Sequence, residues 1–197
     1  MYNRLMDAAL FIDRDGVIIE NRDEYVRSWS DVAIYPQALE ALALAESSPY
    51  KIVVITNQAG IGKGLYSLET ALEINERLKE VIQSYGGRVD GLYLCPHRPE
   101  DQCFCRKPKP GLLMQASHEL SIDLSRSIMI GDALSDLQAG KAAGVRRTIL
   151  VLTGRGSSQV ALPEASQLKP FTVFANLKEV IQSLLGKQDI AINKPVF

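Results

Sequence analysis

Asp13 and Asp15 stand two residues apart at the end of an apolar run from Ala8 to Ile12, and Gly16 follows them. On an extended chain, side chains two apart project to the same side, so both carboxylates can serve one site, and the glycine lets the backbone turn sharply. Carboxylates this close repel unless a cation lies between them. Beside a divalent ion, Asp13 stays ionised and can act as a nucleophile, whereas Asp15 can carry a proton as a general acid. Taken alone, a solvated strand end accounts for the pair equally well.

Three further groups lie where other apolar runs end. Thr56, Asn57 and Gln58 precede the glycine-rich loop "AGIGKG", whose backbone amides with a hydroxyl can cradle a phosphate. The loop is not a P-loop, because Gly64 follows Lys63 where Ser or Thr should hold a magnesium ion. Asp132 and Asp136 lie in "GDALSD"; if a helix starts between them, both can face the loop side, although an acid in a first turn is favoured by the helix dipole in any case.

The stretch "YLCPHRPEDQCFCRKPKPG" holds all three cysteines of the chain and one of its two histidines. Cys95 and His97, then Cys103 and Cys105, form two ligand pairs at alternate positions, which together suit a tetrahedral zinc ion. Four protein ligands leave no position for a catalytic water, so the zinc is expected to be structural, pinning a loop too short for a core of its own. A redox reading needs a Cys-x-x-Cys pair, which the chain lacks. Arg106 and Lys107 follow the last ligand directly; a metal-fixed loop gives both cations a defined direction toward a phosphate. His118, in "LLMQASHELS", reads as an ordinary helix residue.

The elements that must position these groups alternate. Runs rich in β-branched or aromatic residues cover 8–12, 51–56, 91–95, 127–131, 148–152 and 171–175, and "IVVI" and "ILVL" lack polar alternation, as in strands covered on both faces. Between them, Pro36 to about Glu46, Ser135 to Gly144 and 67–85 have helical character, the last with a stripe of Leu68, Ala71, Leu72, Leu78, Val81 and Ile82. Leu177, Val180, Ile181, Leu184 and Leu185 form another stripe. The pattern predicts an α/β fold, a Rossmann-like doubly wound parallel sheet flanked by helices, as one domain over 1–185 with a tail from 186 to 197. Ligands of such sheets bind beyond the carboxyl ends of the strands, where all of these groups are expected.

Composition narrows the function. A net charge of −1 provides no excess positive charge for nucleic acid or an anionic membrane, and the apolar run near the start is too short for a signal core or a membrane span. A cytoplasmic protein is expected, with reduced thiols free to bind metal.

Taken in order, "DRDG", "TN", "RKP" and "GDALSD" resemble the four motifs of the haloacid dehalogenase superfamily of phosphohydrolases, over residues 9 to about 155. The cysteine loop is similar to that of the branch with a zinc-bound loop in place of a large cap domain. The resemblance implies Mg2+ held by Asp13, the Asp15 backbone carbonyl and Asp132, braced by Asp136, with Zn2+ in the cysteine loop. It implies attack by Asp13 to form an aspartyl phosphate, proton transfer by Asp15, and charge stabilisation by Thr56, Asn57 and Lys107. Arg106, Gln58 and the segment carrying Asp23 and Tyr25 are expected to contact substrate. That substrate is expected to be a small phosphorylated sugar, the 7-phosphate of a D-glycero-D-manno-heptose 1,7-bisphosphate, with histidinol phosphate as the alternative. A zinc-stabilised binding module without activity is the alternative of another class. A small capless protein of this kind is expected to be a monomer.

Overall fold

The computed structural model describes residues 6–192, with side-chain surroundings through 186. In chain order it comprises β1 (Ala9–Asp13), α1 (Pro36–Leu44), β2 (Lys51–Asn57), α2 (Ala59–Gly62), α3 (Leu68–Ser84), β3 (Gly91–Cys95), α4 (Gly111–Leu120), β4 (Ile128–Gly131), α5 (Leu134–Ala143), β5 (Arg147–Val151), α6 (Gly156–Val160), α7 (Pro163–Gln167), β6 (Thr172–Phe174) and α8 (Leu177–Ile192). The six strands form one parallel sheet in the order β3-β2-β1-β4-β5-β6. All six expected strands are present. The chain winds outward from β1 to β3, then returns to the other side of β1, so strand order reverses between β1 and β4.

Both faces of the sheet are covered, which explains its uninterrupted apolar strands. Leu10, Ile12, Ile52 and Val54 pack on the side of α1, α3 and α8, whereas Ala9, Phe11, Val53 and Ile55 pack toward α4 and α5. Apolar burial at ~25 cal/mol per Å² is the main stabilising term for such a two-sided core. Among the described residues no second domain interrupts the layers.

One detail of the helix pattern differs from expectation. In α3 the buried residues are Ala71, Ile74, Asn75, Leu78 and Ile82, while Leu68 and Leu72 are exposed. The helix turns its 71–75–78–82 face to the sheet, because those positions lie close to one line at 3.6 residues per turn. The boundary expected at 185 falls inside α8, and 193–197 lie outside the described residues.

Candidate active site

Asp13 ends β1, in register with Ile55 of β2, and Asp132 directly follows β4 on the other side of β1. The reversal of strand order therefore brings together two carboxylates over a hundred residues apart in sequence. A cleft of about 230 Å³ opens there; its lining includes Asp13, Asp15, Thr56, Lys107 and Asp136. Gly16 lets the chain pass close to Asp132: its φ is +88°, and a Cβ in its place would lie 2.1 Å from Asp132 Oδ2.

Asp13, Asp132 and Asp136 offer carboxylate oxygens that lie within 4.8 Å of one another. Lys107, itself buried, reaches this group: its Nζ is 2.8 Å from Asp13 Oδ1 and 2.6 Å from Asp136 Oδ1, and it donates to the Ile55 carbonyl at 3.0 Å. Burial works against the Lys107 charge, but Asp13 and Asp136 outweigh it and hold the ammonium above its ordinary pKa. For Asp13 the balance is opposite. Burial, then the Asp136 charge, push its carboxyl well above the usual range, although Lys107 pulls it down.

The three acids differ in what remains open on them. Asp136 is engaged on both oxygens, since Oδ1 meets Lys107 and Oδ2 accepts from the Ala133 N–H at 3.0 Å. Asp13 Oδ1 accepts from the Arg14 N–H and meets Lys107, while Oδ2 has no protein donor among the described residues. Asp132 Oδ2 accepts from Asn21 at 2.7 Å and from the Arg155 N–H at 2.8 Å, but Oδ1 is buried with no hydrogen-bond partner among the described residues. Burial and the Asp136 charge raise its pKa against those donors. A buried carboxylate oxygen without a donor costs free energy unless a cation meets it. Three hard-oxygen acids against the buried Lys107 and the exposed Arg155, whose Nε is 3.6 Å from Asp132 Oδ2, suit a divalent ion held by Asp13 and Asp132, with Asp136 behind Lys107.

Asp15 belongs to a different network. Arg14, 1% exposed, grips it from two nitrogens, Nε to Oδ2 at 3.1 Å and Nη2 to Oδ1 at 3.0 Å. Thr56 and Gln58 each donate to Asp15 Oδ2 at 3.0 Å. The Thr56 hydroxyl is thus turned to Asp15. Asn57 is likewise engaged with protein: its Nδ2 donates to the Lys107 carbonyl at 3.1 Å, and its Oδ1 accepts from the Lys107 N–H at 3.1 Å.

The second cluster lies beside the first. Cys95, His97, Cys103 and Cys105 present donor atoms within 4.8 Å of one another, with sulfur separations of 3.2 to 3.5 Å and His97 Nδ1 3.2 Å from Cys105 Sγ. The cysteines are unbridged, and three thiols converging on an imidazole nitrogen are the donor set of a tetrahedral zinc site. Cys95 ends β3 in register with Asn57, and Cys105 precedes Lys107 by two residues, so this loop sets the approach of Lys107.

Of the expected substrate contacts, Arg106, Gln58 and Tyr25 line the cleft, although Gln58 is nearly buried. Asp23 is exposed and does not line the cleft; it lines an adjoining outer groove that shares Arg22 and Tyr25 with it. In this segment Val26 is the buried anchor, and Asn21, Arg22 and Tyr25 are the side chains that reach the cleft. Arg155 and Ser135 also line it. His118 is exposed, as expected.

Comparison with known proteins agrees with this geometry. Residues 104–180 match a family model described as HAD-hydrolase-like. The chain is 36% identical over 180 residues to the D-glycero-beta-D-manno-heptose-1,7-bisphosphate 7-phosphatase of Pseudomonas aeruginosa, covering 90% of this chain and 98% of that one. It is 37% identical over 190 residues to the D-glycero-alpha-D-manno-heptose-1,7-bisphosphate 7-phosphatase of Burkholderia mallei, covering 92% and 96%. Among solved structures, the D,D-heptose 1,7-bisphosphate phosphatase from B. bronchiseptica, complexed with magnesium and phosphate, superposes with a TM-score of 0.84 at 33% identity, covering 91% of this chain and 99% of that one. With the strand order, the acids at the strand ends and relatives aligned over nearly their whole length, the chain belongs to the haloacid dehalogenase-like phosphatases and is a phosphoric monoester hydrolase.

Proposed function

We propose that the chain hydrolyses the 7-phosphate of D-glycero-D-manno-heptose 1,7-bisphosphate with Mg2+ as catalytic ion and Zn2+ as a structural one. The observation that carries the reading is the meeting of Asp13, Asp132, Asp136 and Lys107 at the reversal of strand order, with Asp15 in the same cleft. The heptose substrate is supported by the names of relatives that align over 90% or more of this chain.

Asp13 attacks phosphorus through a carboxylate oxygen, and the bond from phosphorus to the sugar oxygen breaks. Asp15 gives its proton to that leaving oxygen. Water then attacks the aspartyl phosphate, Asp15 takes the water proton, and the bond between Asp13 and phosphorus breaks to release phosphate. Lys107 supplies fixed positive charge beside the reacting oxygens, and loss of one such group commonly costs ~3 kcal/mol in the transition state. Magnesium, held by Asp13, the Asp15 carbonyl and Asp132, would supply the remaining positive charge for the phosphoryl oxygens. Arg106, Arg22 and Arg155 at the cleft walls are suited to the rest of an anionic sugar.

The reading extends to a cytoplasmic monomer of one domain that engages neither nucleic acid nor membrane. No described helix is long and apolar enough to cross a membrane. Phosphate release from heptose 1,7-bisphosphate and from histidinol phosphate, measured side by side with magnesium, tests the substrate. Preference for the heptose ester is expected. Faster turnover of histidinol phosphate overturns the sugar assignment, and no release from any phosphate ester overturns the enzyme.

A further inference from the structure

Asp15 accepts four hydrogen bonds, divided unevenly: three on Oδ2, from Arg14 Nε, Thr56 and Gln58, and one on Oδ1, from Arg14 Nη2. Three donors leave Oδ2 no place for a proton, whereas Oδ1 retains an open lone pair. The donors are themselves held from behind. Arg14 Nη1 donates at 2.7 Å to Oδ1 of Asn75, which is 3% exposed on the sheet-facing side of α3. Among the described residues the Asn75 Nδ2 has no hydrogen-bond partner, so this amide is buried at a cost and its one side-chain hydrogen bond is to Arg14. On the other flank, the Tyr66 hydroxyl donates to Gln58 Oε1 at 2.7 Å, which points Gln58 Nε2 at Asp15 and Thr56. The ring needs Gly60 beneath it, since a Cβ there would stand 2.3 Å from Tyr66 Cε1. Burial raises the phenol to about 12, so Tyr66 keeps its proton to donate.

We propose that Asn75 and Tyr66 are positioning residues for the Asp15 carboxyl, acting through Arg14 and Gln58, and that Asp15 Oδ1 is the atom that carries the proton to the leaving alcohol. The proposal rests on the phosphatase reading above. In the first displacement the proton moves from Oδ1 to the sugar oxygen as its bond to phosphorus breaks. An alkoxide needs that proton, whereas 4-nitrophenolate leaves without it. Misaimed Asp15 therefore slows sugar esters selectively, and kcat/KM reports this first displacement without the later hydrolysis.

Tyr66→Phe and Asn75→Leu are compared with the unaltered protein on heptose 1,7-bisphosphate and on 4-nitrophenyl phosphate, with magnesium. Each variant is expected to lose about tenfold in kcat/KM on the heptose ester and less than about twofold on the nitrophenyl ester. Asn75→Asp, which keeps the acceptor for Arg14, should recover most of the loss. Equal losses on both esters, or none on the heptose ester, overturn the proposal; Asn75→Asp no better than Asn75→Leu overturns the part of Asn75. Should Asn75→Leu not fold, Tyr66→Phe decides by the same comparison. If the unaltered protein releases phosphate from neither ester, the phosphatase reading itself fails, an outcome distinct from equal losses in an active enzyme.

Discussion

Asn57 closes two hydrogen bonds of 3.1 Å on the backbone of Lys107, one to its carbonyl and one from its N–H. The last residue of β2 thereby fixes the residue that carries the buried ammonium, fifty positions later. Both polar ends of the amide are engaged with the Lys107 backbone.

Asn57→Ala should therefore free the Lys107 backbone without touching the cysteine ligands. We expect kcat to fall by about ten- to a hundredfold, as for a group displaced by about an ångström, with zinc content unchanged. Loss of zinc together with activity would show that Asn57 holds the whole loop, not Lys107 alone.

Cys103→Ser removes one donor from the four around the proposed zinc ion. Lower zinc content by mass spectrometry, a lower melting temperature and lower activity should appear together, because Lys107 follows this loop. Wild-type melting and metal content in the variant would contradict a zinc clamp.

Asp132→Asn replaces the carboxylate whose Oδ1 is buried without a partner. Half-saturating magnesium should rise at least about tenfold, the effect typical of lost metal-site contacts. Because burial and Asp136 raise the Asp132 pKa, its charge weighs against the ion-free fold, so the ion-free variant should melt no lower than the parent. Unchanged magnesium dependence would move the ion elsewhere.

Tyr66 makes a prediction at alkaline pH. Its phenol is raised from 10.0 to about 12, mainly by burial. Over that window the unfolded chain has given up a proton that the fold retains, so stability present below pH 10 declines as pH rises toward 12. Denaturant titrations of Tyr66→Phe should show a shallower decline over the same range. An identical slope would mean that Tyr66 titrates normally.

The sheet was legible because the strands are short apolar runs separated by polar or helical stretches, and acids stand at the ends of two of them, Asp13 closing β1 and Asp132 following β4. Asp13, Asp132 and the cysteine loop could be read from residue type and spacing alone. Arg14 could not. An arginine between two aspartates reads as solvated, and its burial depends on Asn75, which reaches it from α3. Asn75 did leave a trace, a polar residue in line with Ala71, Leu78 and Ile82, but the exposed Leu68 and Leu72 drew the apolar stripe toward the wrong face. For Thr56 and Asn57 the strand-end position was legible but the protein hydrogen bonds were not, since a sequence shows which polar groups meet near a strand end but not which of them bond to protein.

The central claim is that Asp13 takes the phosphoryl group covalently. Acid quenching during turnover of heptose 1,7-bisphosphate, followed by mass spectrometry of the peptides, measures this directly. One phosphoryl group is expected on the peptide containing Asp13, and the Asp13→Asn protein is expected to be folded, unmodified and inactive. Continued phosphate release by Asp13→Asn, or a phosphoryl group on another residue, would contradict it.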